Sequence, residues 1–507
     1  MGTRTLNSKR NIIVGILSNC LIPVFAFVIK SATVRYFSVD YNGLTGFFAS
    51  VLQVLNIAEL GFSTAIIVNL YKPLKENDAA AICGILAYFR RIYRIIGLVI
   101  LAGGILVCPF LKKLIGDTGV IGENIYILYF IYLAEKVCGY LLFAYKEALF
   151  NAAQRFDITK TVYVIIYFVR GCLQLLALIV FRSFYIFAAV FLLATVVYNL
   201  ALNILSKKKF AQYYPEGNID EATKKEVIKQ VAGLSVSNVL GVSRDSLNSI
   251  IVTSYLGLYI AGQYSNYLTI YDAVIGFFLI ITKAIQASIG NSIVSESVEK
   301  NYADLTRMEF LHNIFVTACA AYMICLYQPF MKLWMGEKLM FSDPVMMLFV
   351  LYFYIRAMSE VKNAYFSALG YWWKAKWIFV AEAIVVITLM LVLGKLFDVA
   401  GIIIAPSISI LTVNYIGTTH LLFKEYFNSG KKEFYTNRII YTVITVIICS
   451  IAWYLCTLIP YEGIPGLAVR IAVCTLVLLL TVPAVMFAIK RKYMKEALGF
   501  IIQIIKA

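Results

Sequence analysis

LTGFFASVLQVLNIAELGFSTAIIVNL, Leu44–Leu70, carries a single ionisable residue, Glu59, near its middle. A helix crossing a bilayer core needs roughly 20 predominantly apolar residues. This stretch exceeds that length, as do Asn11–Val34, Ile92–Leu111 and many later runs. The runs are long and continuous and show no strand alternation, which excludes a β-barrel. Reading outward in hydrophobic blocks gives about fourteen helices. They lie near 12–34, 44–70, 92–111, 124–150, 161–181, 184–205, 231–255, 263–290, 310–330, 344–369, 378–396, 400–423, 438–459 and 466–489. The chain reads as an all-α polytopic membrane protein.

Composition agrees. Of 507 residues, 61% are hydrophobic and 14% charged, and the mean hydropathy is +0.82. A soluble protein of this length needs more polar surface than that. The formal charge of +17 suggests a nucleic-acid partner until its distribution is traced. Roughly 30 of the 45 Lys and Arg fall on one side of the spans, about 7 on the other and about 8 within them. That is the positive-inside pattern, with both termini cytoplasmic and the excess facing anionic headgroups. No nucleic acid is expected. The ten cysteines form no CxxC pair and the two histidines, His312 and His420, are far apart, so no metal site is indicated. No Walker loop is present.

The longest polar interruption, Ser206–Gln230, leaves six helices before it and eight after. Span 1 enters a long span 2 through YFSVDYNGLTG. Span 7 enters a long span 8 through YLGLYIAGQY. Such paired bundles are common in secondary transporters, whose substrate site lies between them. The division expected is 1–230 as a six-helix lobe with its linker, 231–423 as a second six-helix lobe, and 424–507 as two extra helices with a basic tail.

Four segments carry a family resemblance. DYNGLTGFFASVLQVLNIAELGFSTAIIVNLYKPLKEND (Asp40–Asp78) resembles span 2 of the bacterial polysaccharide flippases, which move O-antigen or capsule repeat units. These belong to the multidrug/oligosaccharidyl-lipid/polysaccharide exporter superfamily. SRDSLNSIIVTSYLGLYIAGQYSNY (Ser243–Tyr267) resembles the turn between spans 7 and 8. KAIQASIGNSIVSES (Lys283–Ser297) resembles the end of span 8, and DVAGIIIAPSISIL (Asp398–Leu411) resembles span 12. The chain departs from the family pattern at Arg244 and at Pro406. The resemblance implies a V of two six-helix lobes plus two further helices in the bacterial cytoplasmic membrane. It implies alternating access that carries an undecaprenyl diphosphate-linked oligosaccharide from the inner to the outer leaflet. A polysaccharide polymerase and glycosyltransferases would be its partners alongside membrane lipids.

Charges inside spans are costly and point to wet cavities or to pairs. Moving a diphosphate through a low-dielectric core calls for cations that offset its desolvation. Lys30 and Arg35, late in span 1, either snorkel or meet the diphosphate near the outer face. Glu59, in mid-span, is placed to partner a cation, carry a coupling proton or join two helices. Arg244 and Asp245 sit among Ser235, Asn238, Asn248 and Ser249; helical spacing aligns Arg244 with Asn248 as the sharpest phosphate site. Asp272 and Lys283 share a face of span 8, with Lys283 near the entry end. Arg356 and Glu360, four apart, either line the path or pair with each other. Glu135, Lys136, Arg170 and Glu382 read as internal to the lobes. The YWWKAKW cluster, Tyr371–Trp377, reads as an interfacial belt.

No cofactor is expected; a coupling ion, H⁺ or Na⁺, is left open. Three alternatives stand beside the polysaccharide-unit flippase. One is an ion-coupled multidrug exporter of the same fold, which should be richer in intramembrane carboxylates. A second is a flippase for the peptidoglycan lipid precursor. The third, a membrane polymerase or ligase, would need a large outer loop, and every outer loop read here is short.

Overall fold

The computed structural model describes residues 22–506 other than 60, 117 and 119; side chains at 58, 64, 222, 226, 229–230, 232–245, 281, 283–284, 287 and 485–506 are also outside it. Helix α1 (22–36) leads into α2 (Val39–Leu55), a 3-10 turn (Asn56–Glu59) and α3 (Phe62–Glu76). Then follow α4 (Ala79–Val107), α5 (Leu111–Ile115), α6 (Ile125–Leu141), α7 (Ala144–Ala152), α8 (Phe156–Ile179), α9 (Phe184–Lys209) and α10 (Glu221–Ser295). The remainder comprises α11 (Val298–Met335), α12 (Asp343–Ala357), α13 (Glu360–Ala368), α14 (Lys376–Ser409), α15 (Ile416–Leu422), α16 (Lys431–Thr457) and α17 (Gly463–Lys506). Among the described residues there is no strand.

Among the described residues, eight helices are long and apolar enough to cross a membrane, or nine if the bent pair α6–α7 is one span. Two long helices each contain a break that separates two of the expected spans. In α10 it falls at Gly257, φ 82°; in α14 it falls at Phe397–Asp398. On α4, Ile95, Leu98, Val99 and Leu106 are exposed. A patch of that size on a soluble protein would drive association; here it faces lipid. The protein is a multi-pass membrane protein.

Several spans differ from their expected form. The run Leu44–Leu70 is not one helix: Gly61 takes φ 100°, a left-handed conformation that ends the 3-10 turn and starts α3. Span 4 bends by 49° between α6 and α7, and the amide of Phe143 freed there donates to Asn199 Oδ1 at 3.2 Å. Span 10 breaks at Met358–Ser359. The turns read from sequence are shorter than expected, since α2 already begins at Val39 and helix resumes after Gly257. Conversely, α11 and α16 start at Val298 and Lys431, a dozen and seven residues before the apolar runs at 310 and 438.

Contacts group the chain into two compact units, Met1–Thr269 and Ile270–Ala507. In the first, Leu44, Phe47, Phe48, Phe89, Leu128 and Tyr129 form a core shielded from the surface. Where α2 meets α10, a Cβ on Gly43 would stand 2.3 Å from Leu258 O, and one on Gly262 would stand 2.1 Å from Val39 O. Backbone rests on backbone there, the close approach that small residues permit between membrane helices.

Candidate functional site

In the first unit the broken second span gathers half-buried ionisable groups. A break inside a membrane leaves backbone groups that must be satisfied locally. The carboxylate of Glu59 accepts the Ser63 amide at the head of α3, and Tyr140 donates its hydroxyl to Asn56 Oδ1. The Tyr93 and Tyr140 rings lie 5.9 Å apart. Two more carboxylates come from α6 and α7. Thr195 Oγ1 donates to Glu135 at 2.7 Å, and the Tyr198 hydroxyl donates to Glu147. Glu147 and Lys136 are within electrostatic reach of Glu59. Arg170 acts on Glu135 and lies over the rings of Tyr167 at 4.3 Å and Phe191 at 4.9 Å. Each of the three carboxylates is thus hydrogen-bonded by a neutral donor, with cations further off.

The same unit fixes Lys30. Its ammonium donates to Ser265 O at 2.6 Å, Ser265 Oγ at 2.7 Å and Thr269 Oγ1 at 2.5 Å. Three donors meet three acceptors on α10, so Lys30 ties α1 to the family-like YSNY segment. Asn42 Nδ2 completes the tie, donating to Asn266 Oδ1 at 3.3 Å. Arg35 is exposed at the end of α1, its guanidinium 5.9 Å from the Tyr36 ring. Asn248 is buried, with its Oδ1 lacking a hydrogen-bond partner. The side chains of Arg244, Asp245 and Lys283 lie outside the described residues, on the backbone of α10.

The second unit holds a buried ladder of charge. Lys362, fully enclosed on α13, donates to Thr418 Oγ1 at 2.5 Å and sits 4.8 Å from the centre of the Tyr415 ring. The Tyr415 hydroxyl accepts from Arg438 Nε at 3.2 Å, and Arg438 Nη2 is ion-paired with Glu309. Glu382 accepts from Asn414 Nδ2 at 2.6 Å. Tyr415 and Asn414 lie in a π-helical segment, Ile410–Tyr415, four residues after Pro406. Such widened turns recur at functional sites. Arg356 and Glu360 stand on either side of the α12–α13 break, across which Met358 and Ser359 keep right-handed helical backbone. Arg356 Nη1 reaches the Tyr271 hydroxyl at 3.5 Å, and Tyr271 stacks on Tyr352 at 4.9 Å. Asp272 is exposed on α10 and Glu360 is buried.

Arg438 and Glu309 escape a reading by hydropathy because they fall at the very edge of the apolar runs, Arg438 as the first residue of 438–459 and Glu309 just before 310–330. Helical periodicity is the signal that finds Arg438: Phe434, Arg438, Tyr441, Thr445, Ile448 and Ala452 form one buried stripe on α16. At Tyr371–Trp377, Trp373 and Trp377 are exposed and Lys376 lies 4.1 Å from the Trp373 ring. Beside them, the hydrogen bond to Glu425 holds the Lys374 ammonium above its usual range.

No protein-family model matches the chain and no curated protein matches it in sequence. Solved structures do. One described as the lipid II flippase MurJ in an inward closed conformation aligns with TM-score 0.66 and 15% identity, covering 94% of this chain and 99% of that one. An inward-facing multidrug resistance MATE family transporter of the MOP superfamily aligns at 0.62 and 14%, covering 79% of this chain and 96% of its own. A Vibrio cholerae MATE transporter aligns at 0.58 and 14%, covering 83% and 98%. The chain shares the fold of these solved structures. The segments Asp40–Asp78 and Ser243–Tyr267 supply the Gly43–Gly262 crossing and, at Ser265, two of the acceptors of Lys30.

Proposed function

We propose that the protein is a flippase that moves undecaprenyl diphosphate-linked oligosaccharide repeat units from the inner to the outer leaflet of a bacterial cytoplasmic membrane. It does so by alternating access and makes no covalent bond. The observation that carries this reading is the near full-length match to a lipid flippase, 94% of this chain against 79% and 83% for the two multidrug transporters. The positive-inside charge pattern supports cytoplasmic termini. The polysaccharide-flippase motifs favour a repeat unit over the peptidoglycan precursor as cargo.

In this reading the parts are 1–230, 231–423 and 424–507, the last being the two extra helices and tail. Arg244, with Asn248 one turn on, grips the diphosphate, since a guanidinium offers bidentate phosphate contacts and stays charged. Lys283 meets the headgroup on entry, and Asp272, Arg356 and Glu360 border the path. Lys30 sets the position of α1 rather than touching cargo. Arg35 receives the headgroup at the outer face. Glu59 carries the coupling proton, and its exchange shifts the population between inward- and outward-open states.

The test is cellular. Deleting the gene should abolish surface polysaccharide and leave lipid-linked repeat units accumulating on the cytoplasmic side. Arg244→Ala should reproduce that loss at normal membrane abundance. Rescue of a strain depleted of its lipid II flippase would instead favour the peptidoglycan precursor, and cationic-dye efflux would favour a drug exporter.

A further inference from the structure

Far from the charge ladder, α11, α17 and the loop before α17 enclose a cavity of about 390 Å³ lined by Gln328, Lys332, Leu333, Met340, Glu462 and Arg470 among others. On the topology proposed above, it opens at the outer headgroup level, because α11 ends there and α17 begins there. We infer that this cavity binds the headgroup of a zwitterionic glycerophospholipid of the outer leaflet, one carrying both a phosphate and an ammonium.

The lining sets the chemistry. Two cations converge on it. Arg470 is braced by its donations to Tyr461 O at 2.8 Å and Ile459 O at 3.0 Å, and Lys332 reaches Glu462 at 2.9 Å. Charge-assisted hydrogen bonds from such a pair suit a phosphate. Two carboxylates stand beside them, Glu462 in the lining and Glu337 at 3.8 Å from Lys332. Both are well exposed, at 71% and 78%, so their hold on Lys332 is weak and exchangeable. With Glu337 counted at the rim, two carboxylates balance the two cations, which disfavours a purely anionic headgroup and accommodates an ammonium. Around the mouth, Leu333, Leu458, Tyr461 and Ile464 are exposed apolar residues on which acyl chains can lie. A free phosphate would use only the polar half of this surface.

The site is tested by native mass spectrometry of the full chain, exchanged into detergent with phosphatidylethanolamine, phosphatidylglycerol or inorganic phosphate. The wild type should retain phosphatidylethanolamine in preference to phosphatidylglycerol and should not retain inorganic phosphate. Lys332→Gln should lower retention of both lipids roughly tenfold. Glu462→Gln, which leaves the cavity and its rim net positive, should reverse the preference toward phosphatidylglycerol. Both substitutions are at surface side chains, and an unchanged melting temperature confirms folding. Equal retention of the two lipids by all three proteins, or binding of inorganic phosphate alone, overturns the inference. The readout is independent of transport, so it stands or falls separately from the flippase reading.

Discussion

Arg438 on α16 and Glu309 on α11 form an ion pair closed to water on both sides, 6% and 5% exposed. One oxygen of Glu309 and one terminal nitrogen of Arg438 lack a hydrogen-bond partner, so the pair relies on its own contact and on Tyr415. Removing one member of a buried pair strands a charge and costs about 3–5 kcal/mol, whereas replacing both by apolar groups is often neutral. Arg438→Met should therefore lower the melting temperature in detergent sharply. Arg438→Met combined with Glu309→Leu should recover most of that loss. A double variant no more stable than the single one would show that the two charges act independently.

The crossing of α2 and α10 leaves no room for a side chain. Gly262→Ala would place a methyl 2.1 Å from Val39 O, with backbone rather than a flexible side chain in the way. We expect a loss of folded protein, read as failure to elute as a monodisperse species. Gly276→Ala on the same helix meets nothing within 4 Å and should be neutral, or stabilise by up to about 1 kcal/mol through helix propensity.

Lys30 and Arg35 are both cations late in α1, yet their environments separate them. Lys30→Met removes three hydrogen bonds to α10 and leaves their acceptors part-buried, a cost of about 1–3 kcal/mol. Arg35→Ala, at an exposed position, should change stability by less than about 0.5 kcal/mol. Thermal unfolding of the two variants in parallel decides; equal losses would contradict the assigned roles.

Glu59→Gln keeps the shape of the side chain and its hydrogen bond to Ser63 but removes the exchangeable charge. In vesicles it should lose the stimulation of transport by an imposed proton gradient while retaining cargo binding. Unaltered stimulation would remove Glu59 from coupling.

Hydropathy made the helical class and the spans legible because lipid imposes a long apolar run on every crossing helix. The breaks were harder to read. Gly61 and Gly257 look like any membrane glycine until φ is known, and the α12–α13 break carries no Gly or Pro at all. Charges in mid-run, such as Glu59, stood out. Arg438 and Glu309 did not, because the polar residues that precede them delay the apolar run until well after the helix has begun. What Lys30 does depended on Ser265 and Thr269, more than two hundred residues away, a pairing that no local pattern encodes.

The central claim is tested most directly by reconstituting the purified protein in vesicles with a fluorescent polyprenyl diphosphate-linked oligosaccharide. A membrane-impermeant quencher then reports the labelled lipid in the outer leaflet. The account expects protein-dependent loss of the protected inner pool, abolished by Arg244→Ala, and no transport of a cationic dye under the same gradient. Dye transport with the lipid left in place, or lipid movement unaffected by Arg244→Ala, would contradict it.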